Sequence, residues 1–156
     1  MKKSYTVTEA LEKLRHYCAY QERCHKEVKD KLYGMQMIPQ AVDQIVGTLV
    51  SENYLNESRF AQQFAHGKFS IKHWGKLRIT RELKARQVSD YDIRKALSSI
   101  DAEAYTTKIG DISRKKWNQL DGISPQQKKQ KLFQYLAYRG WETERIYDQL
   151  DRLSEN

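Results

Sequence analysis

The stretch ITRELKARQVSDYDIRKAL, residues 79–97, sets apolar side chains at Ile79, Leu83, Val88, Ile93 and Leu97 and fills the gaps with polar and largely basic residues. The same apolar teeth recur twice. In VKDKLYGMQMIPQAVDQIV they are Val28, Leu32, Met37, Val42 and Val46, and in LFQYLAYRGWETERIYDQL they are Leu132, Leu136, Trp141, Ile146 and Leu150. Leu32 and Leu83 are 51 residues apart, and Leu83 and Leu136 are 53 apart, so the chain reads as three units of nearly equal length. Any amphipathic hairpin places apolar residues four apart on one helical face. The stronger signal is the connection, which has one length in all three copies and a helix-start residue at one place. Pro39, Asp90 and Thr143 align there, a proline suited to the first helical turn and two residues suited to an N-cap.

The remaining pattern predicts nine helices. Thr6 with Glu9 opens a first helix as a capping box, running to about Gln21, and a second covers His25 to Tyr33. A third spans Pro39 to Glu52, and a fourth opens at Asn56 or Ser58 and ends before Trp74. The fifth and sixth lie around Trp74–Arg86 and Asp90–Ile100, and a long seventh runs from Asp101 to Trp117. After the loop LDGISPQQ, Pro125–Arg139 and Thr143–Arg152 complete the set. The expected fold is all-α: three tandem three-helix repeats, residues 1–55, 56–100 and 101–156, stacked into an elongated solenoid because no single repeat can bury its own apolar face. Chain length suits one small domain or an array of this kind.

Composition narrows the compartment and chemistry. No apolar run approaches the roughly 20 residues that span a bilayer, and the opening MKKSYTVTEALEKL lacks the apolar segment of a signal peptide, so a cytoplasmic protein is expected. Cys18 continues the stripe of Leu11 and Leu14 and is expected as a buried thiol. Cys24 and His16 suggest a metal site, but no second cysteine pair accompanies them, so both thiols are expected to stay reduced and metal-free. No phosphate loop, nucleophile elbow or H-E-x-x-H motif is present, and His16, His25, His66 and His73 are expected as surface residues. No active site or cofactor is read.

Charge is the informative feature. With 28 Lys plus Arg against 20 Asp plus Glu, the chain carries +8, unevenly spread. Lys68, Lys72, Lys76, Arg78, Arg81, Lys84 and Arg86 face one acid, Glu82. A second cluster between Lys108 and Lys131 includes Arg114, Lys115 and Lys116. If Ile79 and Leu83 point inward, Arg78, Arg81 and Lys84 fall on the opposite face and are free for a partner. The helix from Asp90 offers mainly Asp92, Arg94 and Lys95, a poor set for base edges, so nucleic-acid contact would be attraction to phosphates.

The chain resembles the RecX family of regulatory proteins, which modulate the RecA recombinase. The residues that carry the likeness are NESRFAQQF (Asn56–Phe64), Gly75, Ile79 and Leu83 in WGKLRITRELKARQV, then Ile93 and Leu97, with YQERCHKEVKDKL and KQKLFQYLAYRGWETERIYDQL resembling the first and last hairpins. Asn56 and Glu57 stand where the family commonly has paired aspartates, and Gln87 where a glycine usually closes the middle hairpin. The resemblance implies an elongated right-handed array of three-helix repeats. It also implies a monomeric, non-enzymatic regulator without cofactor, which lodges in the groove of a RecA filament on single- or double-stranded DNA. Such a protein lowers ATPase and strand-exchange activity, in recombination, DNA repair and the SOS response. Lys68, Lys72, Lys76, Arg78, Arg81, Lys84, Arg86, Arg114, Lys115 and Lys116 are the expected RecA and DNA contacts. A helical-repeat protein that binds nucleic-acid backbones without RecA is the alternative.

Overall fold

The computed structural model describes residues 4–155. Among these residues it is entirely helical outside loops and turns, with nine helices in the predicted order. They are α1 (Val7–Tyr20), α2 (His25–Gly34), α3 (Pro39–Ser51), α4 (Glu57–Lys72), α5 (Lys76–Ala85), α6 (Asp90–Ser98), α7 (Ala102–Gln119), α8 (Pro125–Tyr138) and α9 (Thr143–Ser154). Thr6 and Glu9 form the expected capping box, Asp101 caps α7, and Ser124 with Gln127 forms a second capping box before Pro125. Each arrangement satisfies backbone N–H groups that the first helical turn leaves without partners.

The five-residue step between the second and third teeth of each repeat has a specific cause. Helices α2, α5 and α8 all end with a residue of positive φ: Gln36 at 64°, Gln87 at 61° and Gly140 at 86°. The next residue's N–H returns to a carbonyl five positions back, from Met37 to Leu32, Val88 to Leu83 and Trp141 to Leu136, each at 3.1 Å. The left-handed residue itself bonds three back, to Tyr33, Lys84 and Ala137. This is a Schellman cap, whose usual apolar pair joins the residue after the turn to the start of the helix's last turn. Leu32, Leu83 and Leu136 are fully buried, and Val88 and Trp141 nearly so, with Met37 half-buried. The three leucines thus occupy equivalent positions, as the periodicity predicts.

One assignment shifts by a residue. Asp90 and Thr143 are the first residues of α6 and α9, as Pro39 is of α3, so none of the three is the N-cap. Ser89 fills that role for α6 by accepting the Asp92 N–H at 3.2 Å, while Ile38 and Glu142 precede α3 and α9 without a side-chain cap bond. The alignment is of the first helical position, where a Pro or an acid also fits.

Packing divides the described residues into two compact units that share the middle helices. One comprises the residues up to Gln63 with Leu83–Lys95, the other Phe64–Glu82 with the residues from Ala96 onward. The first unit centres on Ala10, Leu14, Cys18, Val28, Leu32, Val42, Ile45, Leu49 and Leu55. The start of α4 latches onto this core. Asn56 accepts the Arg59 N–H at 2.9 Å, and Glu57 accepts the His25 N–H at 2.9 Å, placing a carboxylate at the electropositive start of α2. Arg59 reaches Glu22 at 2.6 Å and both the side chain and carbonyl of Asn53 at 3.1 Å. The NESR sequence is therefore a structural clasp. Cys18 and Cys24 are free and buried, and burial raises both thiols to about 11, away from the reactive thiolate.

The cap predicts opposite outcomes at equivalent sites. Gln87→Gly should raise stability by about 0.5–1 kcal/mol by removing left-handed strain. Gly140→Ala should lower it by about 2–4 kcal/mol through strain and crowding, because a Cβ there would lie 2.2 Å from the Arg78 Cβ. Leu136→Ala should cost about 2–5 kcal/mol by opening a cavity in the core. Urea denaturation of the three variants checks all of these.

Candidate binding surface

The second unit is built on aromatic packing. Tyr105 of α7 lies 4.6 Å from Trp141 and 5.8 Å from Phe69 between ring centroids. Its hydroxyl donates to Glu142 and accepts the Lys76 N–H at 2.9 Å, so burial and the carboxylate keep the phenol strongly protonated. Trp141 donates its indole N–H to the His73 carbonyl at 3.0 Å. Between these groups two backbones touch: the Gly75 N–H bonds the Arg139 carbonyl at 2.8 Å and the Leu77 N–H bonds the Gly140 carbonyl at 3.0 Å. A Cβ on Gly75 would fall 2.5 Å from the Gly140 oxygen, so only glycine fits.

This close approach brings basic residues from separate parts of the sequence onto one unit. Lys68 of α4 lies over the Trp74 ring at 5.1 Å and the Phe64 ring at 5.4 Å. Arg78 of α5 lies over Trp74 at 4.3 Å and over Tyr138 of α8 at 4.7 Å, and donates to the Tyr138 carbonyl at 3.2 Å. Lys76 lies over Tyr105 at 4.8 Å, and Lys116 over Tyr135 at 5.2 Å. A ring face attracts a cation without cancelling its charge, as a carboxylate would. Such residues are positioned yet remain sources of positive potential.

The expected sites therefore differ in character. Lys72, Arg81, Lys84 and Lys115 are exposed, and Arg114 is exposed beside Asp111 at 3.5 Å. Lys68, Lys76, Arg86 and Lys116 are half-buried. Arg78 is also half-buried against its two rings, which corrects the expectation that it stands free with Arg81 and Lys84. The helical wheel places Arg78 off the Ile79 stripe, but α8 covers that face.

His73 also departs from expectation. It is half-buried at φ 61°, with its Nδ1 buried and without a hydrogen-bond partner. Burial depresses its basicity first, followed by the charges of Lys108, Arg139 and Lys115. Lys108, which also donates to the Ser70 carbonyl at 3.4 Å, and Arg139 thus join the surface, though neither stood among the expected contacts. The alternation of Tyr135, Tyr138 and Arg139 at helical spacing is the trace of this in the sequence. Among the described residues, no group of three His, Cys, Asp or Glu could hold a metal ion, and no helix is long and apolar enough to cross a membrane.

The fold and surface define a class: an all-α protein of tandem three-helix repeats, with cations seated on aromatic faces. Residues 56–97 match the second three-helix domain of RecX and residues 111–150 match the third, 42 and 40 residues that together exceed half of the 156. The chain belongs to the RecX family of regulatory proteins. It is 26% identical over 140 residues to the Regulatory protein RecX of Streptococcus gordonii, covering 87% of this chain and 53% of that protein. It is 28% identical over 132 residues to the Regulatory protein RecX of Chlorobium phaeobacteroides, covering 85% of each. The chain spans about half the length of several curated relatives, 40% of that in Streptococcus sanguinis and 57% of that in Lactobacillus johnsonii. The crystal structure of RecX from Lactobacillus salivarius has the same fold, with a TM-score of 0.84 at 21% identity over 96% of this chain and 97% of that one.

The His73 environment makes a pH prediction. A group whose basicity is lower folded than unfolded binds fewer protons folded, so its contribution is present above the unfolded pKa of 6.5 and is lost as pH falls. The melting temperature should drop between pH 7 and 5, and His73→Asn should flatten that dependence. Asparagine suits the replacement because it tolerates positive φ.

Proposed function

We propose that this protein binds the RecA recombinase filament and lowers its ATPase and strand-exchange activities, tempering homologous recombination, DNA repair and the SOS response. In this reading it acts in the cytoplasm as a monomer, without cofactor or catalytic centre of its own, and residues 1–55, 56–100 and 101–156 serve as three binding repeats. Membership in a family of regulators supports the kind of action. The observation that supports the surface assignment is the seating of Lys68 and Arg78 on the Trp74 ring, with Lys108, Arg139 and Lys115 near enough to His73 for their charges to add to the effect of its burial. A filament on DNA presents phosphates and acidic protein, and ring-seated cations meet either without first breaking an ion pair. Lys72, Lys76, Arg81, Arg114 and Lys116 add positive charge to the second unit, and Lys84 and Arg86 are further contacts in this reading, carried by the first.

DNA-stimulated ATP hydrolysis by the cognate RecA tests this reading. Wild-type protein should suppress it, less so as ionic strength rises. Arg78 is packed, so the informative variant reverses the exposed Arg81, Lys84 and Lys115 to Glu. Each exposed change should shift stability by less than about 0.5 kcal/mol, while half-inhibition should require roughly tenfold more protein. Unchanged ATPase with wild-type protein, together with tight, salt-sensitive duplex binding without RecA, would favour the nucleic-acid reading instead.

A further inference from the structure

We propose that a cleft beside α1 and α2, in the first unit, is a stacking site for the bases of single-stranded nucleic acid. The cleft measures about 530 Å³ and is lined by Tyr5, Lys13, His16, Tyr17, Tyr20, Arg23, Lys31 and Met35. It lies in the other compact unit from the surface around His73, and the inference does not rest on the RecA reading.

Three tyrosines and His16 supply its rings. Tyr20, at the last position of α1, is 84% exposed, a large ring that contributes nothing to the core. Cations sit beside the other two tyrosine rings. The Lys13 ammonium is 5.5 Å from the Tyr5 centroid, the Arg23 guanidinium 3.7 Å and the Lys31 ammonium 4.9 Å from that of Tyr17. Arg23 is further fixed by donating to the Tyr17 carbonyl at 3.0 Å. No carboxylate lines this cleft, but Glu27 and Asp30 line the adjoining one that shares Tyr17, Lys31 and Met35. Glu27 accepts the Cys24 N–H at 3.0 Å, Asp30 pairs with Lys26 at 2.6 Å, and Glu12 pairs with Arg15 at 3.0 Å and approaches His16 at 3.4 Å.

Rings rimmed by cations match a chain of flat bases joined by phosphates. Bases stack on aromatic side chains with little regard to sequence, while Lys and Arg follow the backbone. An acidic peptide would engage the cations but leave Tyr20 in water. A duplex keeps its base faces stacked inside and unavailable. Single-stranded nucleic acid uses both features.

Fluorescence anisotropy with a labelled oligothymidylate, without RecA, tests the site. Wild-type protein should bind it roughly tenfold more tightly than an abasic strand of equal length. Tyr20→Ala should erase that difference while leaving abasic and duplex binding unchanged, and Tyr20→Trp should retain it. Should Tyr20→Ala fail to fold by circular dichroism, Lys31→Glu on exposed surface should weaken oligothymidylate binding in its place. The proposal is overturned if folded Tyr20→Ala binds like wild type, if abasic and thymidylate strands bind equally, or if polyglutamate displaces the strand at equal charge concentration.

Discussion

Everything in each repeat turns on one backbone conformation, the left-handed residue that ends its second helix. A helix leaves its last carbonyls without partners, and the shortest way to satisfy them is to reverse the chain through positive φ so that the following N–H groups point back. At Gln36, Gln87 and Gly140 the chain does this in the same way and delivers Met37, Val88 and Trp141 toward the core. The third helix then starts two residues later. Spacing, burial and direction of the hairpin all follow from that reversal. Glutamine accepts the conformation at some energetic cost in the first two repeats.

In the third repeat the same residue carries a second duty. The Gly140 carbonyl receives the Leu77 N–H, and the absence of a Cβ there and at Gly75 lets two backbones meet. Trp141 and Tyr105 fill the space beside the contact, their polar atoms satisfied by the His73 carbonyl and by Glu142 and Lys76. A contact made by two glycines thus organises an aromatic cluster, and the cluster holds the surrounding cations. Surface charge in this unit follows from core packing, because Lys68 and Arg78 are aimed by Trp74 and Tyr138. Seating a cation on a ring limits the rotamer freedom a partner would otherwise have to freeze, while leaving the charge available.

Much of the local structure was legible in the sequence, since helices and their boundaries are set by interactions within a few residues. The apolar teeth identified the buried leucines, Thr6, Asp101 and Ser124 marked the helix starts they cap, and the equal spacings exposed the repeat. Pro39 marked the first turn of its helix correctly, while Asp90 and Thr143 marked the right turn but the wrong position in it, because first-position and N-cap preferences overlap for acidic and hydroxyl residues. Net charge and its clustering were also plain, for these depend on composition alone. What only the tertiary structure decided is which charges stand free and which are held. Helical periodicity says which residues leave a helix's own buried face, and nothing about what another element lays over them. Arg78 is off the Ile79 stripe and yet covered, because α8 brings Tyr138 across it. His73 reads as a surface residue and is instead half-buried, with the charges of Lys108, Arg139 and Lys115, which lie 35 to 66 residues away along the chain, acting on it. Distances of that kind are set by the Gly75–Gly140 approach. No local pattern encodes them, because the energy that fixes them arises only when the two backbones meet.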